Sequence, residues 1–171
     1  MNLIVKQVGD DLWQAEYGEK RWRCAVGWSG IHVAKKEGDG VSPVGCWPLR
    51  QVFYRADRIA RPVTSLPCAA IDPLDGWCDA PAHADYNRQV RLPFDAGHEN
   101  LWLEDEVYDC VVVLGHNDDP VIAGAGSAIF LHIARPNYAP TAGCAALSRE
   151  DLLAFLAAAG PTTQLCFSNE R

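Results

Sequence analysis

CVVVLGHNDDPVIAGAGSAIFLHI, residues 110–133, holds two apolar runs on either side of a polar, glycine-rich crossing. The first, CVVVLG (110–115), is dominated by valine, whose branched Cβ favours extended backbone. The second, SAIFLHI (127–133), is too short for an ordinary helix and carries one histidine near its end. GHNDDP between them supplies the Asn, Asp and Pro of a turn. The pair predicts two apolar strands joined by a turn.

Working outward, LIVKQV (3–8), LWQAEY (12–17) and RWRCAV (21–26) read as short strands, with Gly9-Asp10-Asp11 and Gly18-Glu19-Lys20 as turns. This is an antiparallel meander, which residues 31–36 extend. EGDGVSPVGCW (37–47) is a turn-rich crossing, and PLRQVFYR (48–55) returns to strand alternation. Past the central pair, Ser148 opens a Ser-x-x-Asp cap, LLAFLAA follows, and Gly160-Pro161 stops the helix. TQLCF (163–167) is a last strand. Residues 56–109 differ from all of these. They are rich in Pro, Asp and Gly and show no sustained period, yet Trp77, Tyr86, Phe94 and Trp102 argue for order. The expected class is mainly β: a curved sandwich of mixed and antiparallel strands, one helix over about 148–159, and a long ordered loop or lid at 56–109. Residues 1–171 form one domain on this reading.

The chain has 171 residues, a net charge of −7 and a pI near 5.1. That balance disfavours nucleic acid, which needs a basic face. No run of 18 apolar residues predicts a transmembrane segment. The N-terminal stretch shows no secretory signal, leaving a mature form, a cytoplasmic protein or another export route as readings. Nothing in the sequence specifies an oligomeric state. There are seven cysteines, an odd number, with no C-x-x-C pair. Cys110 and Cys166 lie in apolar runs and read as small buried hydrophobes. No disulfide framework, metal site or cofactor is expected.

The chemistry centres on SAIFLHIARPNYAPTAGCAALS (127–148), where His132 and Cys144 flank a loop. A thiolate is the nucleophile in thiol chemistry, and an ordinary thiol needs a nearby base or cation to form it. His132 is the nearest imidazole in sequence, and a loop of eleven residues can fold back to bring the two together. Gly143 allows a sharp turn and close substrate approach, and its N–H with that of Cys144 suits an oxyanion. Thr141 adds a hydroxyl just upstream. A core histidine and a buried thiol would explain the same residues.

His132 ahead of Thr141-x-Gly143-Cys144 resembles the signature of the L,D-transpeptidase catalytic domain, also called the YkuD domain. Ser42-Pro43-Val44-Gly45-Cys46-Trp47 is similar to that family's early Thr-Pro-x-Gly-x-Phe segment. The resemblance covers roughly residues 20–167 and implies the family's β-sandwich-like fold. It implies peptidoglycan cross-linking, in which Cys144 takes an acyl group from a stem peptide and passes it to an amine of a second stem, typically of diaminopimelate. His132 would act as general base and acid. The same site with water as acceptor would be an L,D-carboxypeptidase or cross-link hydrolase. Such a substrate implies the cell envelope or periplasm. The chain departs from the family at Ile133, where Gly is common, and at Ala146, where Arg often stands. Arg135 or Arg88 is the candidate for the missing charge. A backbone carbonyl or the Ser127 hydroxyl is the candidate for orienting the imidazole.

Other residues admit two readings each. His116, in GHNDD, is either a rim residue that positions substrate or part of a solvated turn. Trp77, Tyr86 and Asn87 either line the substrate groove or pin the long loop to the core. A zinc site built from His116, His132 and Cys144 lacks workable ligand spacing.

Overall fold

The computed structural model of the chain describes residues 1–170. Its strands are β1 (Leu3–Gly9), β2 (Leu12–Tyr17), β3 (Lys20–Cys24), β4 (Ile31–His32), β5 (Ser42–Pro43), β6 (Gly45–Tyr54), β7 (Cys68–Ala70), β8 (Asp75–Cys78), β9 (Gln89–Arg91), β10 (His98–Asn100), β11 (Cys110–Leu114), β12 (Phe130–Ile133), β13 (Ala145–Leu147) and β14 (Gln164–Phe167), with one helix, α1 (Arg149–Ala158), before the last strand. The main sheet has nine strands in the order β13-β12-β11-β6-β14-β1-β2-β3, with β7 paired to β6. It is mainly β, mixed and strongly curved, as the sequence predicts.

The curvature nearly closes the sheet on itself. Just past β3, Ala25 and Ala146 exchange both backbone hydrogen bonds at 2.9 Å, joining the first edge to the last. β11 and β12 earn their place by burial. Every residue of β11 and β12 is buried, so neither needs a polar face. They pair antiparallel, with Val111 opposite His132. The helix begins where its cap predicts: Ser148 Oγ accepts from Asp151 N at 3.1 Å. Leu152, Phe155 and Leu156 are its buried face against the sheet.

Three expectations change. Residues 31–36 do not extend the meander. Gly30, at φ 77°, turns the chain away, and only Ile31–His32 forms a strand, parallel to β5. The run at 127–133 enters its strand late, at Phe130. Ala128 sits at φ 52° because its N–H donates to Asn87 Oδ1 at 3.0 Å instead of to a sheet neighbour. Cys166 is not a free hydrophobe: it is disulfide-bonded to Cys46, its register partner across β14 and β6. The apolar strand context hid a pairing that only the sheet register creates.

The 56–109 segment is ordered. Its centre is a small antiparallel sheet, β10-β8-β9, in which Trp77 lies opposite both Glu99 and Gln89. Trp77 stacks edge-on against Phe130 of β12, with ring centroids 5.2 Å apart. That contact ties the excursion to the main sheet beside the histidine strand. No helix among the described residues is long and apolar enough to cross a membrane.

Candidate active site

Sheet register sets the pair. β12 and β13 run parallel, with Leu131 opposite Ala145 and His132 opposite Ala146. Cys144 stands two residues before Ala146, so the period of two puts its side chain on the face that carries His132. Both line one cavity of about 180 Å³, together with Thr141, Arg135, Lys35, Glu37, Glu99 and Tyr108. A larger hollow lies elsewhere, on the side of Trp28 and Tyr138.

Gly143 makes the turn possible. Its φ is 140°, and a Cβ there would meet the Val41 carbonyl at 2.9 Å. Ser42 Oγ donates to the Gly143 carbonyl at 2.7 Å and accepts from Gly27 N at 3.0 Å. The Ser-Pro segment thus braces the Gly143–Cys144 turn from behind. Thr141 Oγ1 donates to the Cys144 carbonyl at 2.7 Å and accepts from Gly143 N at 3.1 Å. The hydroxyl closes the turn, and the Gly143 N–H points to it in this state.

The thiol and the imidazole are both neutral. Cys144 Sγ donates to the Ala128 carbonyl and accepts from Phe130 N, each at 3.3 Å. Burial pushes the thiol up to about 12, and the nearby Glu99 adds to this. His132 is fully enclosed, and burial pushes its imidazole down to about 4. Its Nδ1 lies 2.9 Å from the Ile133 carbonyl. A carbonyl only accepts, so Nδ1 carries the proton and Nε2 keeps a free lone pair. The Ile133 carbonyl is therefore the orienting group. Ser127 is occupied elsewhere, its hydroxyl 2.9–3.0 Å from the Glu37 carboxylate. The ring of Tyr108 stacks edge-on to His132 at 5.5 Å between centroids.

The charges of the cavity were not legible in the sequence. Lys35 is the buried cation, with a side chain only 6% exposed, ion-paired to Asp39 at 2.6 Å. Its Nζ stands 3.6 Å from where a Gly143 side chain would begin. Arg135 also lines the cavity but is exposed, with Asp105 at 4.0 Å. Glu37 and Glu99 supply the opposite sign. Glu99 accepts from the Tyr108 hydroxyl, and burial raises its carboxyl above the usual range in spite of that bond. No local motif marks Lys35, Glu37, Glu99 or Tyr108, because they reach the cavity from separate segments: the β4–β5 connection, strand β10 and the turn before β11.

The remaining candidates lie elsewhere. Asn87, at φ 57°, is a bracket: its Nδ2 donates to the carbonyls of His116 (3.0 Å) and Asn117 (2.8 Å), and its Oδ1 accepts from Ala128 N and Trp77 Nε1 (both 3.0 Å). Tyr86 donates to Glu37 at 2.6 Å and accepts from Gly126 N at 3.1 Å. Trp77, Tyr86 and Asn87 therefore pin the excursion instead of facing the cavity. Arg88 is exposed on another hollow, beside Asp118 and Asp119. His116 is buried, not on a rim. Its ring meets Trp47 edge-on at 4.8 Å, its Nδ1 has no partner, and burial with the Lys35 charge pushes it down to about 4. Among the described residues, no group of three His, Cys, Asp or Glu side chains is placed to hold a metal ion.

A buried thiol and a lone-pair imidazole on adjoining parallel strands, behind a Gly-Cys turn, define a cysteine–histidine site on a curved β-sheet. The family model of the L,D-transpeptidase catalytic domain (YkuD) matches residues 7–165, nearly the whole chain, and the chain belongs to that family of enzymes, which act on peptidoglycan. No curated protein and no solved structure matches it significantly.

Proposed function

We propose that this chain is a cysteine-dependent L,D-transpeptidase of the cell envelope that cross-links peptidoglycan stem peptides. The observation that carries this reading is the neutral Cys144–His132 pair in one cavity, with Nδ1 of the imidazole held on the Ile133 carbonyl. Cys144 Sγ attacks a stem-peptide carbonyl carbon. A carbon–sulfur bond forms, the thiol proton passes to His132 Nε2, and the imidazolium returns it to the leaving amine as the carbon–nitrogen bond breaks. An amine of a second stem then attacks the thioester. The new carbon–nitrogen bond forms, sulfur leaves, and the amine proton returns to the thiol through His132.

With the thiol near 12 and the imidazole near 4, a resting thiolate–imidazolium pair is strongly disfavoured. The proton therefore moves as the carbon–sulfur bond forms. The developing oxyanion is stabilised by the Cys144 backbone N–H and by the Lys35 ammonium behind the turn, and the Gly143 N–H joins them only by leaving Thr141 Oγ1. Lys35 takes over the positive charge that Ala146 lacks, with Arg135 at the entrance. Lining groups of both signs, Glu37 and Glu99 with Lys35 and Arg135, suit a substrate end bearing both ammonium and carboxylate, as diaminopimelate does. The Cys46–Cys166 disulfide supports an oxidising, extracytoplasmic compartment.

The test is incubation with defined tri-, tetra- and pentapeptide muropeptides, read by mass spectrometry. Cross-linked dimers are expected, together with a carbapenem adduct that is absent in Cys144→Ala and His132→Ala. Shortened monomers without dimers would make the chain an L,D-carboxypeptidase or hydrolase instead. Unchanged substrate and no adduct would defeat both.

A further inference from the structure

A hollow of about 660 Å³ lies apart from the smaller cysteine cavity. It lies within the size range of ligand sites. Its walls combine Trp13, Trp28 and Tyr138 with Arg23, His32 and Asn137. We propose that this hollow is a carbohydrate-binding groove that holds the glycan strand bearing the stem peptide attacked by Cys144. The proposal rests on the acyl-transfer reading for the identity of the glycan, though not for the existence of the groove.

Trp28 is 60% exposed, an unusual placement for an indole. It is nonetheless fixed. Gly40, at φ 70°, lies so close that a Cβ there would stand 2.1 Å from the indole nitrogen. The backbone N–H of Trp28 donates to the Thr141 carbonyl at 2.9 Å. A rigid exposed indole is a platform for the flat, apolar face of a sugar ring.

Across the hollow, Asn137 and Tyr138 stand at φ 57° and 55°. Left-handed backbone at a non-glycine residue is strained and persists where the surroundings impose it. Here the Arg23 guanidinium lies 4.6 Å over the Tyr138 ring and donates to the Asn137 carbonyl at 3.2 Å. The strain presents a second aromatic ring beside the Asn137 amide. Aromatic plates ringed by amide, imidazole and guanidinium donors match a sugar, which has apolar faces and a rim of hydroxyl groups.

The spacing fits as well. Thr141, which lines the cysteine cavity, accepts the hydrogen bond from the backbone N–H of groove-lining Trp28 and lies three residues from Cys144, so it is at most about 11 Å from that residue along the chain. The three or four residues between a glycan and the attacked stem carbonyl span about 10–14 Å when extended. The loop between His132 and Cys144 thus forms a shared wall, with sugar on one side and peptide on the other.

The experiment uses the full chain and an N-acetylglucosamine tetramer as probe. Titration of Cys144→Ala by calorimetry should show saturable binding. Trp28→Ala or Tyr138→Ala in that background should weaken it by about tenfold or more. Trp28→Phe should restore part of the affinity, and thermal unfolding should be unchanged because the indole is mostly exposed. In the wild type, disaccharide-linked stems should show a lower KM than free stems. Trp28→Ala should erase that preference while leaving kcat on free stems unchanged. Absence of saturable tetramer binding, or binding indifferent to both aromatic substitutions, would overturn the proposal even if stems are cross-linked. Loss in Trp28→Ala of affinity for a sugar-free tetrapeptide would also overturn it, making the hollow a peptide site. Tetramer binding without any turnover of stems would leave the groove standing and remove the acyl-transfer reading.

Discussion

The cysteine–histidine edge of the main sheet and the 56–109 excursion meet at one cavity but are held by different forces. β11 and β12 are buried throughout, and His132 owes its position to register and apolar packing. The excursion has strands of only three or four residues and depends on polar brackets such as Asn87, Tyr86 with Glu37, and Tyr108 with Glu99. Packing of the first kind is spread over many contacts and resists single changes. Brackets of the second kind concentrate the load on single side chains, so loss of one strands several buried polar groups. His132 is thus placed by the robust region, while Glu99 and Tyr108 reach the cavity from the fragile one.

The largest test of this contrast is the disulfide, which locks the robust region. Cys46 and Cys166 close a loop with a sequence separation of 120, worth up to about 5 kcal/mol in the chain-entropy account. Cys46→Ser with Cys166→Ser should lower the unfolding free energy in denaturant by about 2–5 kcal/mol. Activity per folded molecule should stay close to wild type, because neither cysteine touches the cavity. Equal loss of activity and stability would mean that the site depends on the lock itself.

Acid is the next probe. His132 and His116 are neutral and buried near 4, against 6.5 when exposed. The unfolded chain binds their protons first, so native stability is full above pH 6.5 and falls as pH drops toward 4. The expected loss is on the order of 3 kcal/mol per imidazole. His116→Phe should remove about half of the acid slope in a pH series of denaturant melts. An unchanged slope would place the acid sensitivity elsewhere.

Asn87→Ala probes the excursion directly. It deletes four hydrogen bonds and should cost about 2–3 kcal/mol. Hydrogen exchange should quicken around 75–100 and 116–128 while β11 and β12 stay protected. Uniform acceleration would show that the two regions unfold together. The smallest expected effect belongs to Lys35→Met, which should lower the rate of carbapenem acylation by about tenfold to a hundredfold with little change in melting temperature. A rate equal to wild type would remove Lys35 from oxyanion stabilisation.

The same division explains what the sequence discloses. The meander, the two central strands, the capped helix and the His132–Cys144 pair all write local signals: alternation, valine runs, Ser148 before an apolar face, Gly143 before a thiol. Asn87, Glu99 and Lys35 write none. Their partners are set by three-dimensional closure, and a lysine or glutamate in a polar turn looks like any solvated charge. Cys166 misleads for the same reason, since only the β6–β14 register brings Cys46 to it. His116 misleads because a GHNDD turn looks exposed until Trp47 covers it.

The hydrogen bonds between Ala25 and Ala146 close the sheet beside Cys144, and this closure sets an order for synthesis. Residues separated by more than a hundred positions must meet before the wall behind Cys144 exists, so the site belongs to the slow, long-range part of folding. A nascent or truncated chain can fold its meander and still lack a working thiol pocket. The thiol pocket therefore arrives with the last strands, and Cys144 gains its setting only as the whole chain does.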